Sequence, residues 1–162
     1  MIEVHALTRR YGNTIAVDDV SFHIGDNQIV GLLGHNGAGK TTIMRMLSGY
    51  LEPCAGSIRI DGISLDDTPH SIQRELGYLP QSLPVYPDMM VADYLHYSAT
   101  LKGIAPSQIY SAFRPAIFAT DLGQRALDPV ATLSRGLQQR AGVGQALHGP
   151  AHSLSLDLRT NG

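Results

Sequence analysis

The chain has 162 residues, 43% of them hydrophobic and 16% charged, and these values predict one globular domain with a sizeable core. A formal net charge of -2 without any run of lysine or arginine argues against nucleic acid as a partner. The single cysteine excludes an internal disulfide and a thiolate zinc site, and no apolar run approaches the ~20 residues that span a bilayer.

The amino-terminal part of the chain is predicted to form two antiparallel strands. Apolar and polar residues alternate over Ile2 to Leu7 and again over Val20 to Ile24, as they do in half-buried strands. Between these strands, Tyr11 is expected on a polar loop. An aromatic ring there can stack on a flat base, although most exposed loop tyrosines have no such role.

A phosphate-binding loop is predicted next. The residues from Gly34 to Thr41 match the P-loop pattern, in which glycines let backbone N–H groups turn inward around an anion. Lys40 is expected to reach the β- and γ-phosphates, and Thr41 can offer its hydroxyl to Mg²⁺. The residues that the pattern singles out for phosphate and Mg²⁺ are Gly34, Gly37, Gly39, Lys40 and Thr41.

The flanks of this loop have the pattern that the motif requires. Apolar residues over 29–33 predict a buried strand, and those over 43–47 predict an amphipathic helix. The alternative is a glycine-rich turn that happens to carry a lysine, and it does not require either flank.

Short elements are predicted over residues 49–81. Gly49 should end the helix, and a strand from Ser57 to Ile60 should lead into a hairpin turn at residues 61–62. One or two helical turns then precede a short strand that Pro80 ends. Gln81 follows directly, and a glutamine in a loop is usually only solvated.

A helical insertion is predicted at about residues 83–133. One helix should run from Val91 to Leu101. A second should begin at Pro106, and Pro115 should kink or break it.

A further helix and a strand are predicted near the end of the chain. Ser134 is a plausible N-cap, and Gly136 would let backbone approach a ligand, although a plain capped helix explains the segment as well. Residues 154–157 could form a strand that delivers the carboxylate of Asp157 to the P-loop.

Taken together, these motifs resemble the ATP-binding subunit of ATP-binding cassette (ABC) transporters over nearly the whole chain. The resemblance implies an α/β fold with a P-loop NTPase core, an antiparallel β subdomain and a helical insertion. It also implies a single, incomplete domain over residues 1–162 whose C-terminal strands are missing, because the chain stops just after the Walker B motif.

The resemblance assigns roles to individual residues. Tyr11 is similar to the adenine-stacking aromatic. The loop is similar to the Walker A motif, which implies nucleotide contacts from Gly34, His35, Asn36, Gly37, Ala38, Gly39, Lys40, Thr41 and Thr42. Gln81 is similar to the glutamine of the Q-loop, and Asp157 to the Walker B aspartate. The implied Mg²⁺ ligands are therefore Thr41, Gln81 and Asp157.

The segment from Leu133 to Gln138 resembles the family's signature, LSGGQ followed by QR. Arginine and leucine stand at positions 135 and 137 of this chain, where the family has glycine and glutamine. The resemblance implies nucleotide contacts from Ser134, Gly136 and Gln138.

Leu158 occupies the place of the family's catalytic glutamate. Leucine can neither orient nor deprotonate water, so no catalytic residue is assigned. We expect ATP hydrolysis by this chain alone to be at background.

The implied function is to bind Mg²⁺-ATP and power transport through a separate membrane-spanning subunit. The stretch from Tyr78 to Met89 resembles that of cassettes of the ABC-2 export type. A second ATP-binding subunit would pair with the chain head to tail, and the chain would be cytoplasmic, peripheral at the inner face of the membrane. The alternatives are a degenerate, non-hydrolysing subunit or remnant, and a soluble ABC ATPase acting on DNA or ribosomes, which the near-neutral charge disfavours. A P-loop kinase would explain Lys40 but not the signature.

Overall fold

The computed structural model describes residues 1–81 and 86–147, and the backbone of residues 153–156. It consists of two compact units, Met1–Gln73 and Arg74–Gly162. Within the described part of the chain, no helix has the length and apolar character that a membrane crossing requires.

The first unit contains a four-stranded antiparallel sheet with the order β2-β1-β3-β4. Its strands are β1 (Ile2–Tyr11), β2 (Thr14–Ile24), β3 (Ala55–Ile60) and β4 (Ile63–Ser64). The hairpin turn predicted at residues 61–62 is confirmed, since Ile60 pairs with Ile63 across it. Asp61 and Gly62 both have positive φ there, as the common two-residue hairpin turn requires.

The strands β1 and β2 pair as predicted, but both are longer than the alternating pattern indicates. Ala6 and Asp19 have φ values of 49° and 48°, and the register of the two strands shifts between Val4 and Leu7. An irregularity of this kind moves the following side chains to the other face, while the pairing continues. The alternation therefore ends at Leu7, whereas the strand continues to Tyr11.

Two helices complete the first unit. Helix α1 (Lys40–Leu47) begins at the predicted lysine, and Gly49, with a φ of 69°, follows its end as predicted. Helix α2 is Pro69–Glu75. Buried side chains from both helices and the sheet form one core, each stabilising the fold by about 1.5–3 kcal/mol. Its members are Val4, Leu7, Val17, Ile43, Met46, Leu47, Ile58, Ile60, Leu65 and Ile72.

The buried strand predicted over residues 29–33 is not formed, and that prediction is wrong for this structure. Ile29, Val30 and Leu33 are 104%, 58% and 88% exposed, and the segment contains no strand. A buried parallel strand needs neighbours beside it and cover on both faces. None of the described strands of the first unit pairs with this segment.

In its described part, the second unit combines a two-stranded parallel sheet with three α-helices and two single-turn 3-10 helices. Strand β5 (Leu76–Leu79) pairs with β6 (Ser153–Leu156), which confirms both predicted strands to within one residue. The α-helices are α3 (Val91–Leu101), α4 (Pro106–Ala119) and α5 (Arg135–Ala146). Their shared core contains Val91, Tyr94, Leu95, Leu122, Val130, Leu133 and Ala141.

Helix α4 is continuous through Pro115, so the predicted break is wrong. Ile109 and Ala116 are buried on the two sides of the proline, whereas Pro115 itself is exposed. The packing of these two residues holds both turns in place despite the hydrogen bond that proline cannot donate.

Candidate functional site

The glycine-rich loop is closed by the side chain of Lys40. Its ammonium Nζ donates hydrogen bonds to the carbonyl oxygens of Gly34 at 2.5 Å and His35 at 2.7 Å. The N–H of Ala38 also donates to the His35 carbonyl, at 3.2 Å. The loop therefore curls back on itself and holds a positive charge against its own backbone.

Two glycines of this loop are required for different reasons. Gly37 and Gly39 have φ values of 84° and 83°, which side chains other than hydrogen rarely allow. A Cβ on Gly37 would meet no atom within 4 Å, so its surroundings are open to a ligand. A Cβ on Gly39 would lie 2.3 Å from the carbonyl oxygen of Ala16 on β2, so this glycine lets the loop pack against the sheet.

Helix α1 starts directly after this loop without a capping side chain. Gly39 is the N-cap residue, and the first turn contains no acidic residue. The first N–H groups of a helix have no partner within the helix, and the helix dipole favours an anion beside them. Thr41 and Thr42 lie half-buried in this first turn, and His35 and Asn36 are exposed on the loop.

These residues fit a Mg²⁺-bound nucleotide phosphate. The loop combines a fixed cation, an open glycine and the start of a helix, and each of these favours phosphate. Among the described residues, no group of three or more His, Cys, Asp and Glu side chains could hold a metal ion. Mg²⁺ commonly relies on substrate phosphates and one or two protein oxygens, and a threonine hydroxyl such as that of Thr41 is an oxygen ligand of the kind that suits it.

Tyr11 lies at the end of a strand and not on the predicted loop. It is the last residue of β1 and pairs with Thr14 across the turn at residues 12–13. The reason is the extension of β1 past its irregular residues. Tyr11 is 46% exposed, and the guanidinium carbon of Arg9 lies 5.0 Å from the centroid of its ring. This contact was not predicted from the sequence, although the spacing of two residues on a strand predicts a shared face.

The predicted N-cap at Ser134 is confirmed. Its hydroxyl oxygen accepts a hydrogen bond from the N–H of Leu137 at 3.4 Å, and α5 begins at the next residue. Gly136 is exposed, and a Cβ there would meet no atom within 4 Å. The first turn of α5 therefore presents open backbone without an acidic side chain.

Gln138 has an internal partner. Its Nε2 donates to the carbonyl oxygen of Val130 at 3.2 Å, which ties α5 to the short turn before it. No pattern in the sequence predicts this contact. Its predicted role toward a nucleotide stays a prediction.

The remaining predicted residues are distributed along the second unit. Gln81 is exposed, two residues after the end of β5. Asp157 follows β6 in the sequence, and both it and Leu158 lie outside the described residues. The metal-binding roles of Gln81 and Asp157 remain predictions.

Comparison with known proteins gives a consistent result. The sequence model described as "ABC transporter" matches residues 17–161. An uncharacterised ABC transporter ATP-binding protein, YxlF of Bacillus subtilis, is 34% identical over 97% of this chain and 52% of its own length. The Nod factor export ATP-binding protein I of Ralstonia nicotianae is 33% identical over all of this chain and 50% of its own length. The chain thus spans about half the length of these relatives.

Solved structures show the same fold. A structure of an ATP-binding subunit of an ABC transporter is 28% identical with a TM-score of 0.80, over 90% of this chain and 62% of that one. A dimeric bacterial ABC transporter cassette is 22% identical with a TM-score of 0.84, over 96% and 73%. These likenesses confirm the predicted α/β class with a P-loop core.

Proposed function

The chain belongs to the ABC transporter family, and from this premise we propose that it binds Mg²⁺-ATP to power transport through a separate membrane-spanning subunit. The observation that carries the proposal is the position of Lys40, whose ammonium is held at 2.5 and 2.7 Å by two carbonyls of the phosphate loop. A phosphate would offer this ammonium charged acceptors in place of the two neutral carbonyls, and hydrogen bonds to charged acceptors are the stronger ones.

The residues of the first unit would share the work of binding. Lys40 would exchange the carbonyls of Gly34 and His35 for phosphate oxygens, and the N–H groups at the start of α1 would donate to the same anion. Thr41 would hold Mg²⁺ by its hydroxyl, which supplies positive charge against the phosphates. Tyr11 would stack on the adenine base.

The second unit would serve a neighbouring ATP-binding subunit. The resemblance to the family implies head-to-tail pairing, in which the first turn of α5 faces the nucleotide of the second subunit. The open backbone at Gly136 and the absence of an acidic residue in that turn support this role. The dimeric state of one solved cassette supports the pairing. The chain would then lie at the cytoplasmic face of the membrane, held there by its partners.

Position 158 favours a specialised form of this function. Leucine there cannot act as a general base, so the chain would bind ATP and leave hydrolysis to a partner with an intact glutamate. The second candidate function is therefore that of a non-hydrolysing subunit in a heterodimer.

Calorimetric titration of the chain with Mg²⁺-ATP tests the proposal. We expect saturable one-site binding, together with phosphate release at background in the same preparation. Absence of binding by folded protein would contradict the proposal. Clear Mg²⁺-dependent turnover, lost in Lys40→Ala, would show that Leu158 does not prevent hydrolysis.

A further inference from the structure

Arg9 makes a specific contact with the ring that is assigned to adenine. Its guanidinium carbon lies 5.0 Å from the centroid of Tyr11, within the range of a cation–π interaction. The two residues are two positions apart on β1, so their side chains share a face of the strand. One face of the ring is therefore occupied by a cation.

The same guanidinium also contacts the turn before β3. Its Nη1 donates to the carbonyl oxygen of Glu52 at 2.9 Å and lies 3.9 Å from the sulfur of Cys54. The N–H of Cys54 in turn donates to the carbonyl of Thr8 at 2.8 Å, which ties this turn to β1. Arg9 thus spans from the turn before β3 to the ring of Tyr11.

This arrangement has a cost within the fold. Arg9 Nε is buried, and it has no hydrogen-bond partner among the residues that the structure describes. A buried donor without a partner loses its hydration and gains nothing in return. If Arg9 only supported the sheet, a side chain of similar length without this donor would make the fold more stable.

We propose that Arg9 is a positioning residue for the adenine base, acting through Tyr11. This inference rests on the proposed binding of ATP. The guanidinium, fixed to the Glu52 carbonyl, covers one face of the ring and sets its orientation, and the base stacks on the other face. Fixing the ring before binding reduces the conformational entropy that the complex loses.

The proposal separates recognition of the base from recognition of the phosphates. Arg9 would affect a ligand that carries adenine and would not affect one that has only phosphates. Inorganic tripolyphosphate is the matched probe, because it offers the phosphate chain of ATP without a base. Lys40→Ala is expected to weaken both ligands, since the lysine contacts the phosphate loop.

The experiment is a pair of titrations, Mg²⁺-ATP and Mg²⁺-tripolyphosphate, on a set of variants of the 162-residue chain. Arg9→Met keeps the aliphatic stem and removes the cation, and Arg9→Ala removes both. Arg10→Ala is the control, because it deletes the neighbouring exposed positive charge. Tyr11→Ala, alone and combined with Arg9→Met, completes a double-mutant cycle.

We expect Arg9→Met and Arg9→Ala to weaken ATP binding about two- to fivefold, which lies within the cost of ordering one side chain on binding. Tripolyphosphate binding should be unchanged in both. Tyr11→Ala should weaken ATP about fivefold or more, as loss of base stacking does, and Arg9→Met should add nothing in that background. The midpoint of thermal unfolding of Arg9→Met should be equal to or above that of the wild type.

Three results would overturn the inference. One is equal weakening of both ligands by Arg9→Met, which would show a general effect on the site. Another is an effect of Arg9→Met that persists in Tyr11→Ala. The third is unchanged ATP affinity with a lower unfolding temperature, which would make Arg9 purely structural. The proposed function itself fails if the folded wild type binds neither ligand. The three results above all require that the wild type binds ATP, so the two failures are distinguishable.

Discussion

The helices α1 and α5 both begin at a predicted nucleotide contact, but their first turns are completed in different ways. Helix α1 starts after Gly39 without a capping side chain, and Lys40 turns back to the carbonyls of its own loop. Helix α5 starts after Ser134, whose hydroxyl accepts the N–H of Leu137. Neither first turn contains an acidic residue.

This difference indicates which of the two helix N-termini needs a ligand to satisfy its free N–H groups. A serine cap satisfies one of the free N–H groups of a helix from within the chain. A glycine start offers no such acceptor, so an external anion gains more at α1 than at α5. We therefore interpret the start of α1 as the primary phosphate site. The start of α5, which Ser134 already caps, is interpreted as a surface for a second subunit.

The largest expected effect is that of Lys40→Ala at α1. Removing the ammonium deletes at least two charge-assisted hydrogen bonds to phosphate, so ATP affinity should fall about a hundredfold or more. Arg45→Ala, which removes an exposed positive charge from the same helix, is the matched control and should retain the wild-type affinity. Calorimetric titration measures both. Affinity of Lys40→Ala within threefold of the wild type would remove the basis of the comparison.

Replacing a glycine by alanine should have opposite effects on the free energy of unfolding at the two helix starts. Gly39→Ala places a Cβ 2.3 Å from the Ala16 carbonyl at a φ of 83°, so we expect a loss of about 2–4 kcal/mol in the free energy of unfolding. Gly136→Ala meets no atom within 4 Å on a helical turn and should gain about 0.4–1 kcal/mol. Urea unfolding with unchanged m-values gives both differences. A stable Gly39→Ala variant together with a destabilised Gly136→Ala variant would contradict the geometry of these helix starts.

Ser134→Ala should have a smaller effect, confined to α5. The capping hydrogen bond is long, at 3.4 Å, so we expect a loss of about 0.5–1 kcal/mol in the free energy of unfolding. ATP binding by the chain alone should not change, because this turn is assigned to a second subunit. Ser134→Asn, which can cap in the same way, should retain the stability. An asparagine variant as unstable as the alanine variant would show that capping is not the function of this side chain.

The last expected effect depends on pH and lies at the opposite end of α5. Lys102 Nζ donates to the carbonyl oxygen of Ala146 at 3.3 Å, and burial lowers the pKa of this lysine to about 8 from 10.5. Below pH 8 the folded state therefore keeps a poorly hydrated charge. Between pH 8 and 10.5 the folded state loses this proton before the unfolded state does, so the contribution of Lys102 to stability rises with pH.

Urea unfolding of the wild type and Lys102→Met in the lower part of the range from pH 8 to 10.5 tests whether stability rises with pH as expected. Burial also raises the pKa of Tyr94 to about 12 from 10.0, which lowers stability above pH 10. Measurements from pH 8 to 9.5 avoid that second titration. The wild type should gain stability relative to Lys102→Met as the pH rises, and a relative loss would contradict the assignment.

The parts of the fold that depend on neighbouring residues were predictable from the sequence. The hairpin turn at Asp61 follows from local turn chemistry, and the start of α1 at Lys40 follows from the P-loop pattern. The cap at Ser134 needs only residues three positions away. In each case the physical cause lies within a few residues of the element.

The parts that depend on distant residues were not predictable. The segment 29–33 has the composition of a buried strand, but composition supplies neither the neighbours nor the cover that such a strand needs. Helix α4 continues through Pro115 because packing on both sides outweighs local propensity. The partner of Gln138 and the contact of Arg9 with Tyr11 likewise appear only once side chains are placed.

The most direct test is thermal unfolding of the purified chain with and without Mg²⁺-ATP. Binding at one site with a hundredfold excess of ligand over Kd stabilises the folded state by about 2.7 kcal/mol, which raises the midpoint by roughly 5 to 10 °C for a chain of this size. We expect this rise in the wild type and none in Lys40→Ala. A cooperative transition that Mg²⁺-ATP leaves unmoved would contradict the assignment of the loop at Gly34 to Thr42 as a nucleotide site.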